Sequence, residues 1–222
     1  MSEVIVLFEG YSTQIDDVTM DANCSCVLIK TAEKHNIIVD TMTAWDKQDI
    51  IDALAKHNLS PDDIKYVICS HSHADHIGNN NLFLKAEEHI VGCTVHHNTL
   101  FHERNIKTSV YNITKGVKVI STPGHTAEDV TVLVDGKFNG ETARVAITGD
   151  LFEKEEDVNK PSIWMNFGMP ELREHQATSR YMIADFADVI IPGHGSFFHV
   201  TNEIKKKLMN QLEMIKCGIL TA

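Results

Sequence analysis

The heptapeptide SHSHADH, residues 70–76, comes directly after an apolar run that predicts a buried strand. His71 and His73 are separated by one residue, so both imidazole rings can point the same way from an extended loop. Asp75 and His76 follow on the next turn of the chain and can face a second point in space. Because imidazole and carboxylate groups are common metal ligands, this stretch predicts a metal site at the end of the strand.

Three further predicted strands also end beside a potential metal ligand. These strand ends carry the motifs TPGHT (122–126), TGD (148–150) and PGHG (192–195). In layered α/β folds, ligand sites gather at the ends of strands, so the four strand ends together predict one shared site. The predicted metal ligands are His71, His73, Asp75, His76, His125, Asp150 and His194.

The predicted ligands divide into two sets around one shared carboxylate. His125 can complete a first set with His71 and His73, and His194 can complete a second set with Asp75 and His76. The two carboxylate oxygens of Asp150 can bridge both ions. Three protein ligands for each ion, together with a bridge, leave open positions, which is typical of a catalytic site. Two Zn²⁺ ions suit these ligands, and iron or manganese would suit them as well.

A site of this kind predicts a hydrolase. Two ions about 3.5–4 Å apart would hold a bridging hydroxide that attacks a carbonyl carbon or a phosphorus. The residues expected to act in catalysis are Asp75, His76 and Asp150. Asp40, at the end of another predicted strand, is expected to orient the loop 71–76 rather than to bind metal. The competing interpretation, histidines that only satisfy backbone groups in loops, does not explain four ligand-bearing strand ends.

The composition is that of an acidic globular protein. The 222 residues carry a formal net charge of -11 and are 43% hydrophobic, which fits a single domain over residues 1–222. An acidic surface repels nucleic acid at long range, although a local basic pocket would still allow RNA to bind. Five cysteines at irregular spacing predict no disulfide framework. We expect neither a signal peptide nor a membrane span, and therefore a cytoplasmic protein, with the nucleus as an alternative.

The predicted strands come in runs with helices between the runs, which indicates two packed sheets with helices outside. Helices are predicted over 46–57, 171–185 and 202–216. A turn over 135–140 is expected to join two strands, and the charged segment 153–160 is expected to be a solvated surface loop.

Several side chains outside the motifs are candidates for contact with a substrate. Arg173 and Arg180 lie on one predicted helix and are expected at the mouth of the pocket. For the aromatic candidates, a place in the core is the alternative. The predicted substrate-binding residues are Trp164, Phe167, Arg173 and His199.

Together the motifs resemble those of the metallo-β-lactamase superfamily, with Asp40 matching its first motif. The resemblance implies an α/β fold, a four-layer αββα sandwich. Asp150 as a bridging ligand is similar to glyoxalase II and the nucleases of the superfamily, and unlike the zinc-dependent β-lactamases. The stretches 70–83, 146–157 and 187–198 resemble the metallo-β-lactamase domain-containing protein 1 family, which implies a zinc endoribonuclease acting on histone pre-mRNA 3′ ends.

Three functions therefore stay open. The first is cleavage of a phosphodiester in RNA, and the second is hydrolysis of a thioester, as in glyoxalase II, or of another small ester. The third is an iron-dependent, non-hydrolytic enzyme or a metal-binding module, which an empty second set and bound iron would favour. The expected partners are RNA or a small thioester or ester substrate, and a homodimer is compatible with these features.

Overall fold

Strands outnumber helices in the computed structural model, which describes residues 1–220. The strands are β1 (Ser2–Phe8), β2 (Tyr11–Asp16), β3 (Thr19–Asn23), β4 (Cys26–Lys30), β5 (Asn36–Val39), β6 (Ile64–Cys69), β7 (Glu88–Val91), β8 (Thr94–His97), β9 (Leu100–His102), β10 (Tyr111–Thr114), β11 (Val117–Ser121), β12 (Val130–Phe138), β13 (Glu141–Gly149), β14 (Val189–Pro192) and β15 (Phe198–His199). The helices are α1 (Lys47–Lys56), α2 (Ala74–Ile77), α3 (Ser162–Phe167), α4 (Arg173–Phe186) and α5 (Asn202–Lys216). No helix in the described part of the chain is long and apolar enough to cross a membrane.

The strands form two sheet layers. Because alternate side chains of each strand point to opposite faces, each strand contributes to two different cores. Ile29 on β4 and Ile68 on β6 pack into one core with Val132 on β12 and Ile147 on β13. These residues come from both halves of the chain, so this core lies between two sheet layers. Each fully buried aliphatic side chain there contributes about 1.5–3 kcal/mol to folding.

The alternate residues of the same strands face outward and pack under helices. In the first half, Leu28 and Val67 share a core with Leu54 of α1. In the second half, Ala146 packs in a core that includes Ile183 of α4. The order of layers is therefore helix, sheet, sheet, helix, and the predicted αββα sandwich is confirmed.

The two layers are joined edge to edge through β1. This strand pairs antiparallel with β4 and parallel with the end of β12, with Val4 opposite Phe138. Within the layers, β6 runs parallel to β5 and β7, and β13 runs parallel to β14. This topology brings the carboxyl ends of β6, β11, β13 and β14 to the rim where the predicted ligands follow.

Two hairpins differ from the expectations. The turn predicted over 135–140 is shorter, because β12 continues to Phe138 and only Asn139 and Gly140 connect it to β13. Both residues have positive φ, 50° and 84°, as a two-residue hairpin turn requires. The hairpin of β2 and β3 was not predicted, because its largely exposed strands lack an apolar alternation.

The prediction of a solvated loop over 153–160 is wrong in part, because Asp157 and Val158 are buried. Asp157 forms an ion pair with Arg180, whose Nη1 lies 3.0 Å from Oδ2. The Arg180 guanidinium lies 5.0 Å from the centre of the Trp164 ring. Arg180 and Trp164 are both 0% exposed, so neither can contact a substrate as predicted.

Candidate metal centre

The first set of predicted ligands converges on one point. His73 Nδ1 lies 2.8 Å from Nε2 of His71 and 3.0 Å from Nε2 of His125. Oδ2 of Asp150 lies 3.5 Å from Nε2 of His71 and 3.4 Å from Nε2 of His125. Ligands bound at about 2.0–2.2 Å to a tetrahedral cation lie about 3.3 Å apart, so these spacings fit a divalent cation.

The second set converges on a neighbouring point and shares the same carboxylate. His194 Nε2 lies 3.6 Å from Oδ2 of Asp75 and 3.3 Å from Oδ2 of Asp150. His76 Nε2 lies 3.3 Å from the other oxygen, Oδ1, of Asp150. The carboxylate of Asp150 therefore stands between both sets, where a bridging ligand belongs.

Buried atoms without hydrogen-bond partners support metal at this site. His76 Nε2 and Asp150 Oδ1 are both buried, and neither forms a hydrogen bond among the described residues. An unsatisfied buried polar atom costs about 1–3 kcal/mol, and more when it is charged. A divalent cation between these two atoms would remove that penalty. The cluster therefore fits a two-cation site.

The loop 71–76 is held in place by Asp40. One carboxylate oxygen of Asp40 accepts a hydrogen bond from the Ser70 backbone N–H at 2.7 Å, and the other lies 3.0 Å from Nδ1 of His76. These contacts hold the ring of His76 with Nε2 toward Asp150. Asp40 thus occupies the place expected of a residue that orients the loop.

Close packing at the rim leaves no space for a side chain at two glycines. A Cβ atom on Gly193 would lie 1.9 Å from Oδ1 of Asp150. Gly149, at φ 50°, would place its Cβ 2.3 Å from Oγ of Ser70. The glycines before Asp150 and His194 therefore allow the strand ends to approach each other.

The charges within the cluster shift the pKa values of the ligands. Burial alone would raise the pKa of Asp150, but attraction to His76, His194 and His71 outweighs it and holds this pKa well below its usual range. Burial lowers the pKa of His125 to about 4, so this ring is neutral at neutral pH. The pKa of His194 is raised to about 9, because attraction to Asp150 outweighs its burial. Asp150 and His125 are thus ready to bind a cation, whereas His76 and His194, whose pKa values are both raised, must first lose a proton.

The comparisons with known proteins agree with this geometry. The sequence model of the metallo-beta-lactamase superfamily matches residues 20–194, a range that contains all seven predicted ligands. The chain belongs to the metallo-β-lactamase superfamily. The resemblance predicted from the motifs is therefore confirmed.

Individual relatives of this superfamily member differ in how much they share with it. Metallo-beta-lactamase domain-containing protein 1 of Xenopus laevis is 36% identical over 200 residues, which cover 89% of this chain and 81% of the relative. An N-acyl homoserine lactonase of Bacillus thuringiensis is 29% identical over 133 residues, which cover 53% of this chain and 52% of the lactonase. A metallo-beta-lactamase family protein from Thermus thermophilus has the same fold, with a TM-score of 0.60 at 13% identity over 96% of this chain and 79% of that one. The superfamily and the lactonase relative support a metallo-hydrolase, and the Thermus thermophilus structure shows the shared fold.

A cleft of about 680 Å³ opens beside the predicted metal ligands of this superfamily member. Its walls are largely apolar, with large side chains from Met20, Trp45 and Phe167. Trp45 is 90% exposed, so its ring lies free at the mouth. The acidic side chains in the lining are Asp75, Asp150 and Glu153, and no lysine or arginine is among the described residues that line the cleft.

The four predicted substrate-binding residues lie in different parts of the structure. Phe167 lines the cleft. Trp164 does not, because it is buried in the core under α4. Arg173 is also outside the lining, and its guanidinium lies 3.4 Å from the Met165 carbonyl. His199 on β15 pairs with Val189, the first residue of β14. It therefore lies at the opposite end of β14 from His194.

Three of the larger side chains that line the cleft were not predicted from the sequence. Met20 lies on the unpredicted hairpin, and Trp45 lies in the loop before α1. Glu153 belongs to the segment interpreted as a solvated loop, yet it is only 4% exposed and faces the metal ligands. The one sequence signal for a role of Glu153 in the site is its position three residues after Asp150.

Proposed function

We propose that this chain is a hydrolase that requires two divalent cations, in the first place zinc, and cleaves a small ester or thioester with an apolar group. The observation that carries this proposal is the apolar cleft above the two ligand sets. Apolar walls with few polar groups suit a small organic substrate.

The residues of the chain divide the work in the following way. One cation would be held by His71, His73, His125 and Asp150, and the other by Asp75, His76, His194 and Asp150. Cations held in this way lower the pKa of water toward neutrality and polarise the bond to be cleaved. Asp75 is half-buried, belongs to the second set and also lines the cleft, so it would lie between a cation and a bound substrate.

The large apolar residues at the mouth would bind the apolar part of the substrate. Met20 lies on β3, Trp45 lies in the loop before α1, and Phe167 is the last residue of α3. Binding an apolar chain between them removes exposed apolar surface from water, which is worth about 25 cal/mol per Å². The lactonase relative is named for a substrate with an acyl chain, which accords with this assignment.

The alternative implied by the resemblance is cleavage of RNA at histone pre-mRNA 3′ ends. RNA binding needs lysine or arginine side chains that neutralise phosphates, and none is among the described residues that line the cleft. Several basic residues near the motifs are instead paired with acids: Lys85 with Asp62, Arg104 with Glu88, Lys107 with Glu128, Lys160 with Glu156 and Arg180 with Asp157. With a net charge of -11, these features favour the ester over the polyanion.

The test is a substrate panel on metal-replete protein. It compares S-acyl thioesters and aryl esters of increasing acyl length with single-stranded RNA at low salt. We expect ester or thioester hydrolysis whose kcat/KM rises with acyl length, and intact RNA. Cleavage of RNA with a steep loss at higher salt, and inert esters, would establish the nuclease alternative instead.

A further inference from the structure

Four histidines present Nε2 to the two ligand sets, and the other ring nitrogen of each, Nδ1, needs a hydrogen-bond partner. A metal-bound histidine almost always donates its second ring N–H to a fixed acceptor, which sets the tautomer and the orientation of the ring. Three of the four have such partners: Ser70 Oγ lies 3.0 Å from Nδ1 of His71, Asp40 Oδ2 lies 3.0 Å from Nδ1 of His76, and the carbonyls of Tyr11 and Asn23 lie 3.2 and 3.1 Å from Nδ1 of His194.

His125 is the exception among these four. Its Nδ1 is buried and has no hydrogen-bond partner among the described residues. Oε1 of Glu153 lies 3.6 Å away, and this oxygen is likewise buried and unpartnered. A normal N–H···O bond is about 2.9 Å long, so a movement of about 0.7 Å would satisfy both atoms at once.

The backbone of Glu153 is held firmly enough to serve this purpose. Its N–H donates to Oδ2 of Asp157 at 2.8 Å, and its carbonyl accepts from the N–H of His194, also at 2.8 Å. Asp157 is in turn anchored by Arg180. Glu153 is thus built into the wall of the site, although its neighbours Glu155 and Glu156 point to solvent.

We infer that Glu153 is a positioning residue for the metal site: Oε1 accepts the Nδ1–H of His125 and keeps Nε2 of that ring on the first cation. The carboxylate also makes the ring a better electron donor to the cation. This inference rests on the proposal that the cluster holds divalent cations, and it is independent of the substrate. It extends to His125 the arrangement that Asp40 gives to His76.

The test compares Glu153→Gln with Glu155→Gln, an exposed glutamate of the same segment. Zinc affinity is measured by competition with a chromophoric chelator. Removing a carboxylate that orients a metal-bound histidine costs about 10–100-fold in metal affinity, and we expect a loss of this size for Glu153→Gln. Glu155→Gln should bind zinc like the wild type, because that side chain touches no ligand.

A second readout separates positioning from a general structural defect. In the zinc-loaded protein with ¹⁵N-labelled histidine, the Nδ1–H resonance of His125 should shift or be lost in Glu153→Gln. The Nδ1–H resonance of His194 should stay, because backbone carbonyls hold it.

Unchanged zinc affinity and an unchanged His125 resonance in Glu153→Gln would overturn the inference. The loss of one whole ion at saturating zinc would overturn it too, because Glu153 would then be a ligand itself. If the wild type does not bind zinc, the proposed function fails and the inference fails with it. If the wild type binds two ions and Glu153→Gln behaves identically, the inference alone fails.

Discussion

Replacing Asp157 with asparagine should lower the free energy of unfolding by about 3 kcal/mol. Arg180 is 0% exposed, and Asp157 is the acid that its guanidinium contacts. Breaking a buried ion pair by removing one partner costs about 3–5 kcal/mol, because the remaining charge stays buried without compensation. Asparagine has the same size and can still accept one hydrogen bond, so we expect the lower end of this range.

The assay is urea unfolding of the metal-free protein, followed by circular dichroism at equilibrium. The matched control is Glu156→Gln, one residue earlier in the same turn, whose partner Lys160 is exposed. This control should not change stability measurably, since surface ion pairs contribute little. A loss of less than about 1 kcal/mol in Asp157→Asn would show that this buried pair does not anchor the segment from Asp150 to Val158.

Three further predictions concern the site itself. Asp150→Asn should abolish turnover and leave the circular dichroism spectrum unchanged, because an amide is a poor bridge between two cations; substantial residual activity would show that Asp150 is not the bridge. Trp45→Ala should raise KM for long-chain esters severalfold without lowering stability, because this ring is 90% exposed at the cleft mouth; equal KM values for short and long chains in both proteins would argue against an apolar subsite. Zinc uptake near neutral pH should release protons, and the release should fall as the pH rises past about 9, where His194 is already neutral. Calorimetry in buffers of different ionisation enthalpy counts the released protons. A count that does not change with pH would contradict the raised pKa of His194.

The predicted metal ligands could be located in the sequence because the four motifs that carry them each follow a run rich in apolar residues, which predicts a buried strand. Once four such strand ends carry histidine or aspartate, the topology of a layered fold leaves one place where they can meet. The helix over 202–216 was predicted for a similar reason, since its apolar residues recur at helical spacing.

The cleft walls could not be predicted, because their residues lack such local signals. Met20 lies on a hairpin whose strands are largely exposed, so neither of its faces shows an apolar pattern. Arg180 is a surface residue by type, and its burial follows from a partner 23 residues earlier in the chain. Long-range packing around the Asp157–Arg180 ion pair also explains Glu153 and Trp164. Glu153, expected in solvent, faces the site, and Trp164, expected at the substrate, lies in the core.

A two-cation hydrolase is tested most directly by a zinc titration of chelator-treated protein in which bound ions and ester hydrolysis are measured in the same samples. Native mass spectrometry counts the ions, and a thioester or aryl ester reports activity. We expect binding to saturate at two zinc ions per chain and hydrolysis to rise as the second ion binds. Saturation at one ion, or two bound ions without hydrolysis of any ester or thioester, would contradict it.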